Sequence, residues 1–352
     1  MCNSKLKREF LRVLLQIDLR FSRFFPRSFS SNIKIAWNNI QRDEGSHVYA
    51  SAYAHRSGSV ALDLSSTSGF GETVHPDVIC SAHGFGASNW NYLMTVTPFP
   101  MGIVYFENPE FLVSRDGIMW ELPPGGKSPV VAPPYDWIGY NSDPVLLLED
   151  GFVRLIYREV CEKRNGFRIS LISRVTDDGI SWRACDEILS SFVPLGREGV
   201  LMSPAVCRVD GEYFLWYVDD FGGEFKITRV SGRKINSLTT AAEAVISDMP
   251  DDLMPWHIGI ASAPENGRLV MAICAAHKKE RGIHSIIFAE SFDMGIIWHI
   301  IGERMDPMEA AGERSLYKAS LLWDDAAARW RLYYSYRDLN GHWFTCLKTV
   351  TL

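Results

Sequence analysis

The sequence predicts an all-β protein, a five-bladed β-propeller over residues 46–352, behind an N-terminal extension of residues 1–45 that carries a helix. Two observations carry this expectation. An Asp-Gly turn followed by Trp recurs along the chain, as Asp116-Gly117-Ile118-Met119-Trp120, as Asp178-Gly179-Ile180-Ser181-Trp182 and, with one insertion, as Asp293-Met294-Gly295-Ile296-Ile297-Trp298. Short alternating strand pairs also recur, at a period of roughly 55–65 residues, which is the spacing of a four-stranded repeat rather than of a sandwich.

In chain order, Leu6, Phe10, Val13, Leu14, Ile17, Leu19, Phe21 and Phe25 recur at roughly helical spacing among basic residues, and Pro26 ends the helix. A basic amphipathic helix lies on anionic lipid or packs on its own domain or a partner, and residues 1–27 leave both readings open. The apolar run Val13-Leu14-Leu15 is too short for a secretory core or a membrane span, being interrupted by Asp18 and Arg20. The expected location is therefore cytoplasmic, with contact at a membrane surface as the alternative. The runs Val48–Ala54 and Ser59–Leu64 read as an edge strand for the main domain.

The first unit runs from Val74 to Trp120, with strands at His75–Cys80, Trp90–Thr97 and Glu107–Ser114 and a fourth beginning at Ile118. The second opens at Asn141-Ser142-Asp143-Pro144 and turns at Asp150-Gly151, and the third opens at Met202-Ser203-Pro204 and turns at Asp210-Gly211. The fourth opens at Trp256-His257 and turns at Asn266-Gly267. The fifth opens at Leu316-Tyr317-Lys318 and turns at Asp324-Asp325.

Composition narrows the function. The chain has 352 residues, 47% of them hydrophobic, and a net charge of -6, so no basic domain marks a nucleic-acid partner. Its 7 cysteines are odd in number and form no CxxC pair, which reads as free, mostly buried thiols in a reducing compartment. The 11 Trp suit sheet cores and also sugar-binding clefts, where rings stack on pyranose faces.

In a propeller the starts of first strands and the ends of second strands converge on one mouth of a central funnel. First strands bring His75, Asp77, Asn141, Asp143, Ser203, His257, Tyr317 and Lys318. Second strands and the turns after them bring Glu107, Arg158, Glu159, Asp219, Asp220, His277 and Arg337. Ionisable groups gathered from distant segments point to a site.

Three of these openings, His75-Pro76-Asp77, Ser142-Asp143-Pro144 and Ser203-Pro204, resemble those of the five-bladed propeller glycoside hydrolases, the family-43 and family-32 group and their relatives, from about Gly71 onward. The resemblance implies Asp77 as base or nucleophile, Asp143 as its orienting partner on the sugar, and a third-unit Glu as general acid. Here the chain departs from the pattern, reading Met202-Ser203-Pro204 where family 43 has Glu-Gly-Pro. Glu198, four residues upstream, or Glu159 would have to supply the acid. Glycoside cleavage needs such a pair, about 5 Å apart for retention and roughly 6.5–9.5 Å for inversion.

The sequence thus predicts an enzyme cleaving a glycosidic bond with Asp77, Asp143 and Glu198 catalytic. Substrate contacts fall to His75, Glu107, Arg158, Glu159, Ser203, Asp219, His257, Lys318 and Arg337. Arg158, Arg337 and Lys318 raise the expectation of an acidic sugar, since guanidinium pairs bidentately with carboxylate. Alternatives are phosphorolysis or glycosyl transfer on the same fold, and a non-catalytic glycan-binding propeller in polysaccharide assembly. No cofactor is required and no metal ligand is assigned, although related propellers can carry a divalent cation or a His on the axis.

Overall fold

The computed structural model describes residues 13–14, 56–64 and 71–352, except 87, 135–138, 195, 198, 266 and 326. The expected helix over residues 5–25 lies outside this set apart from Val13 and Leu14, as does the run Val48–Ala54. No helix among the described residues is long and apolar enough to cross a membrane.

The described chain is built almost wholly of strands. After β1 (Ser59–Ala61) come β2 (Thr73–Phe85), β3 (Trp90–Pro98) and β4 (Glu110–Ser114). The second meander is β5 (Gly139–Glu149), β6 (Phe152–Lys163), β7 (Gly166–Thr176) and β8 (Arg183–Pro194). The third is β9 (Met202–Val209), β10 (Glu212–Asp220), β11 (Phe225–Gly232) and β12 (Thr240–Ile246). The fourth is β13 (Leu253–Ser262), β14 (Leu269–His277), β15 (His284–Ser291) and β16 (Ile297–Met305). The last is β17 (Glu313–Asp324), β18 (Arg329–Asp338) and β19 (Trp343–Val350).

Within each meander neighbouring strands pair antiparallel in sequence order. The first strands pack in a closed circle, β2 on β5, β5 on β9, β9 on β13, β13 on β17 and β17 on β2. The early strand β1 closes that circle from outside, pairing with β19 through Ser59↔Lys348, Val60↔Leu347 and Ala61↔Cys346. The Ser59–Leu64 run thus supplies the edge strand that its alternation predicts. A short parallel pair, Val245↔Ile297 and Ile246↔Trp298, joins the third and fourth meanders into one eight-stranded sheet. The fourth strand expected at Ile118–Trp120 shrinks to one bridge, Val113↔Glu121, because the turn uses those residues itself.

Apolar faces of neighbouring sheets interlock with Trp216, Trp298 and Trp330 fully buried between them. Among the described cysteines all are free; Cys161, Cys207, Cys274 and Cys346 are buried as expected, whereas Cys80 is exposed.

The recurring Asp turn has a definite job. Asp178 Oδ1 accepts the N–H groups of Ile180 and Ser181 at 2.7 and 2.8 Å, and Thr176 Oγ1 accepts that of Gly179 at 2.8 Å. Asp116 and Asp293 repeat the pattern, with Ser114 and Ser291 in place of the Thr. Each turn also rests on the unit before it in the circle. Tyr333 donates to Gly117 O at 3.1 Å, Trp216 Nε1 to Gly295 O at 2.9 Å, and Gly179 faces the Phe111 and Phe85 rings. Gly295 has φ +76, and a Cβ there would run into the Trp216 indole, so the position admits only glycine.

The Ser181 N–H, against a little burial and joined by the Ile180 N–H and the Thr176 hydroxyl, holds the Asp178 carboxyl below its ordinary range. A depressed carboxyl stabilises the fold above its unfolded pKa of about 3.9 and stops doing so as pH falls through the lower folded value. Asp178→Ala should therefore cost about 1 kcal/mol at pH 7, by analogy with a helix-capping carboxylate in an exposed position. The equivalent changes at Asp116 and Asp293 should add to it, these sites being independent. Urea titrations at pH 7 and pH 3 check this: the deficit should shrink at the lower pH, and a pH-independent loss would show that the carboxylate charge is not what matters.

Candidate active site

A shared local irregularity positions the central residues. In every unit the first strand is bulged against the second, at His75-Pro76, Asp143-Pro144, Ser203-Pro204, Trp256 and Tyr317-Lys318. In the first three units the bulge holds a proline, which has no N–H to give the ladder, so the register slips there. The residue before proline avoids the right-handed helical region, and here it goes further: φ is +57° at His75, +50° at Asp143 and +48° at Ser203. Such strained residues concentrate at functional sites. The three structurally equivalent residues are therefore His75, Asp143 and Ser203. Asp77, directly after the bulge, is not one of them.

Across the circle these bulges bring two imidazoles to one carboxylate. His75 Nε2 lies 3.5 Å and His257 Nδ1 3.2 Å from Asp143 Oδ1. The three ligand-type atoms all fall within 4.8 Å of one another, in residues that are all buried. Thr97 Oγ1, 2.9 Å from His75 Nδ1, fixes that ring so that Nε2 faces Asp143. His75 Nε2, Asp143 Oδ1 and both nitrogens of His257 have no hydrogen-bond partner, nor does Glu107 Oε2. Buried polar atoms are nearly always satisfied, so this concentration marks a place made for something else.

The protonation states suit that purpose. Burial pushes His75 well below the ordinary imidazole value, with Asp143 pulling the other way, and burial lowers His257 too. Against burial, His75, His257 and Lys318 hold Asp143 well below the carboxylate range. Asp143 is thus the anion of the cluster, and burial favours the neutral, ligand-competent form of each imidazole.

Glu107 stands 3.6 Å from His75 Nδ1 through Oε2, and its carboxyl is pushed well above its usual value by burial and then by Asp143, against Arg158 and Lys318. Its backbone carbonyl accepts the Asn141 N–H at 2.8 Å, tying the loop after β3 to β5. Tyr317 closes the other side, its ring 5.3 Å from His75 and 4.7 Å from His257.

The remaining sequence expectations separate. Asp77 and Asp143 do not act side by side: Asp77 Oδ2 accepts the Leu146 N–H at 2.7 Å and Oδ1 the Ser320 hydroxyl at 3.1 Å, joining three first strands. Lys318 is buried with its charge among Asp143, Asp77 and Glu107, and its Nζ is 3.5 Å from Pro144 O. Arg158 donates to Val200 O at 2.9 Å and to Ser142 Oγ at 3.5 Å beside the same carboxylates. Both cations thus balance internal charge. Ser203 Oγ exchanges hydrogen bonds with the Ile258 backbone at 3.0 and 2.9 Å, and Asp219 caps the Leu201 N–H at 2.7 Å. Glu159 points away from the funnel, toward Tyr157 and Cys161, because alternate residues of β6 face opposite sides. Glu198 lies outside the described residues. Arg337 does reach the funnel, stacked over Trp343.

Sequence reading missed His284, Trp256 and Trp343 as part of the wall. His284 and Trp343 begin third strands, which start where second strands end, so the rule that selected His277 and Arg337 also reaches them.

No family model matches this chain. One curated relative, an A type blood N-acetyl-α-D-galactosamine deacetylase of Flavonifractor plautii, is 24% identical over 113 residues, which make up 32% of this chain and 14% of the relative. Among solved structures, an N-acetylgalactosamine deacetylase from F. plautii in complex with blood group B trisaccharide superposes with TM-score 0.68 at 16% identity, over 86% of this chain and 92% of that one. A thermostable family-43 glycoside hydrolase gives 0.56 at 13% identity, over 80% and 90%. The family-32 β-fructofuranosidase of Bombyx mori gives 0.57 at 10% identity, over 90% of this chain and 68% of that one. The chain has the all-β propeller fold that these glycoside hydrolases and the deacetylase share.

Proposed function

We propose that residues 46–352 form a five-bladed catalytic propeller that holds a divalent cation at His75, Asp143 and His257 and hydrolyses the N-acetyl group of an amino sugar within a glycan. The observation that carries this reading is the cluster of buried, unpartnered ligand atoms. The donor set fits the ion: neutral imidazole nitrogens and an anionic oxygen are the forms that bind metal, and three protein ligands leave positions open, as catalytic sites require. When bound, such an ion supplies Lewis-acid polarisation of the amide carbonyl and a lowered water pKa.

The chain's own residues do the rest. Glu107 takes a proton from the water whose oxygen bonds to the acetyl carbon, and returns it to the nitrogen as the C–N bond breaks, leaving acetate and a free amine. Thr97 and the bulged backbone keep the imidazoles oriented. Tyr317 and Trp256, half-buried, offer ring surface to the sugar.

Cleavage of a glycosidic bond is the second reading, favoured by the fold shared with the family-43 and family-32 enzymes. Against it, Asp77 is spent on Leu146 and Ser320, and a serine stands at the third bulge. One assay separates these readings. Incubated with N-acetylhexosamine glycans, the full chain should release acetate, stop on chelation and recover with added divalent cation. Reducing sugar released in the presence of chelator would overturn the proposal in favour of glycosidic cleavage. Turnover that depends on inorganic phosphate, or binding without any product, would select the phosphorylase or the binding module.

A further inference from the structure

Of the three cations Arg158, Lys318 and Arg337, the first two lie among internal carboxylates and the third does not. Arg337 is half-buried and forms no ion pair among the described residues; its guanidinium lies over Trp343, 5.8 Å from the ring centroid, and donates to Gly282 O at 3.2 Å. The adjoining Asp338 uses Oδ1 on the N–H groups of Asn340 and His342 instead. Burial, and then Arg314, make its charge harder to hold, with Tyr317 and Asp338 acting the other way. Arg314 itself is paired with Glu280 at 3.2 Å, so the anion site rests on Arg337, a partly desolvated guanidinium with no ion-pair partner among the described residues.

A second, independent feature lies next to it. His284 is only 7% exposed, and its Nε2 has no hydrogen-bond partner. Its other nitrogen sits 2.9 Å from Ser315 Oγ, and that hydroxyl gives its proton to Leu316 O at 3.1 Å. Ser315 therefore accepts from His284 Nδ1–H, which leaves Nε2 with a lone pair and no proton. Burial keeps the ring neutral, with its pKa lowered to about 3. His284 is thus an acceptor waiting for a hydroxyl.

The spacing relates this wall to the His75–Asp143–His257 centre. The Tyr317 ring lies 4.7 Å from His257 on one side, and 5.7 Å from His284 and 5.0 Å from Trp343 on the other. Tyr317 and Trp256, the latter 5.9 Å from His257 and 5.8 Å from His284, separate the two places, so neighbouring units of one glycan would reach both.

We propose that Arg337 and His284 form a subsite for an acidic sugar, a uronic acid attached to the amino sugar at the centre. Arg337 binds its carboxylate, and His284 Nε2 accepts a proton from one of its hydroxyls. The proposal rests on the reading that the centre acts on a glycan, but not on which bond it breaks. Both Arg158 and Lys318 are excluded from this role by their internal carboxylates, which leaves Arg337 to carry the preference.

Calorimetric binding to full-length Glu107→Gln protein tests this without turnover. The probes are a disaccharide of glucuronic acid and N-acetylglucosamine, its glucose counterpart, and N-acetylglucosamine 6-sulfate. The uronate should bind about 10- to 100-fold more tightly than the glucose form, as one charge-assisted pair allows, and added salt should narrow the gap. Arg337→Gln should erase the difference, Arg337→Lys should keep part of it, and His284→Phe should weaken both disaccharides alike. Thermal unfolding midpoints near the parent's show that these variants are folded. Equal affinities in the parent, a preference that survives Arg337→Gln, or no measurable binding of the uronate overturns the subsite. A sulfated sugar that binds as tightly as the uronate overturns its assignment to carboxylate. Absence of acetate release would leave these affinities standing, and equal affinities would leave acetate release standing.

Discussion

Asp143→Asn should abolish metal retention and lower acetate release by about a thousandfold or more. The reasoning starts from charge. Among the described residues Asp143 is the only carboxylate within ion-pair distance of both imidazoles, whose neutral form burial favours. Asparagine keeps the volume and one oxygen, but it removes the negative charge that draws a dication into a buried place. Losing Lewis-acid stabilisation worth several kcal/mol is a loss of a thousandfold or so in rate. The fold should survive, since Lys318 keeps Asp77 and Glu107 as partners and burying an ionised carboxylate is itself costly. Elemental analysis of the purified protein, set beside acetate release and a thermal unfolding midpoint, checks all three parts. A variant that holds a full equivalent of metal, or turns over like the parent, would remove Asp143 from the centre. His257→Phe should behave the same way, because Nδ1 is its only atom directed at Asp143.

How far the sequence could be read depended on which interactions are local. The Asp turns are local: each needs only a carboxylate, a hydroxyl and a glycine a few residues apart, so the repeat and the all-β units follow from spacing alone. The dipeptides His75-Pro76, Asp143-Pro144 and Ser203-Pro204 were equally visible, and they do mark equivalent places on the circle. Their geometry was not legible, because a residue before proline normally stays extended, whereas these three are held at positive φ by the packing of neighbouring first strands. A regular strand would have put His75 and Asp77 on one face with equal claims on the funnel. The bulge between them gives the funnel to His75 and turns Asp77 to Leu146 and Ser320, a difference set by contacts 69 and 243 residues away. The same holds for the basic residues. Nothing in the local sequence around Arg158, Lys318 or Arg337 says which two neutralise buried carboxylates and which one is left without an ion pair on the funnel wall.

Glu107, unpartnered through Oε2, and Asp77, bonded through both oxygens, give the sharpest contrast among the carboxylates. Glu107→Gln should lower kcat by about 10²- to 10⁴-fold, the range for removing a positioned general base, with metal content and glycan affinity unchanged. Gln fills the same space and Glu107 is not one of the three ligand-type groups, so binding has no reason to change while the proton relay is gone. Asp77→Asn should do the reverse. It weakens the clamp that joins β2 to β5 and β17 and takes one anion from Lys318, costing about 1–3 kcal/mol of stability while turnover per folded molecule stays close to the parent's. Single-turnover kinetics beside urea titrations distinguish the two variants. If Asp77→Asn instead loses turnover with its stability intact and Glu107→Gln keeps it, the chemistry belongs to Asp77, as in the family-43 pattern, and the amide-hydrolysing centre described here does not exist. A Glu107→Gln protein that loses its metal together with its activity would make Glu107 a ligand rather than the group that carries the proton.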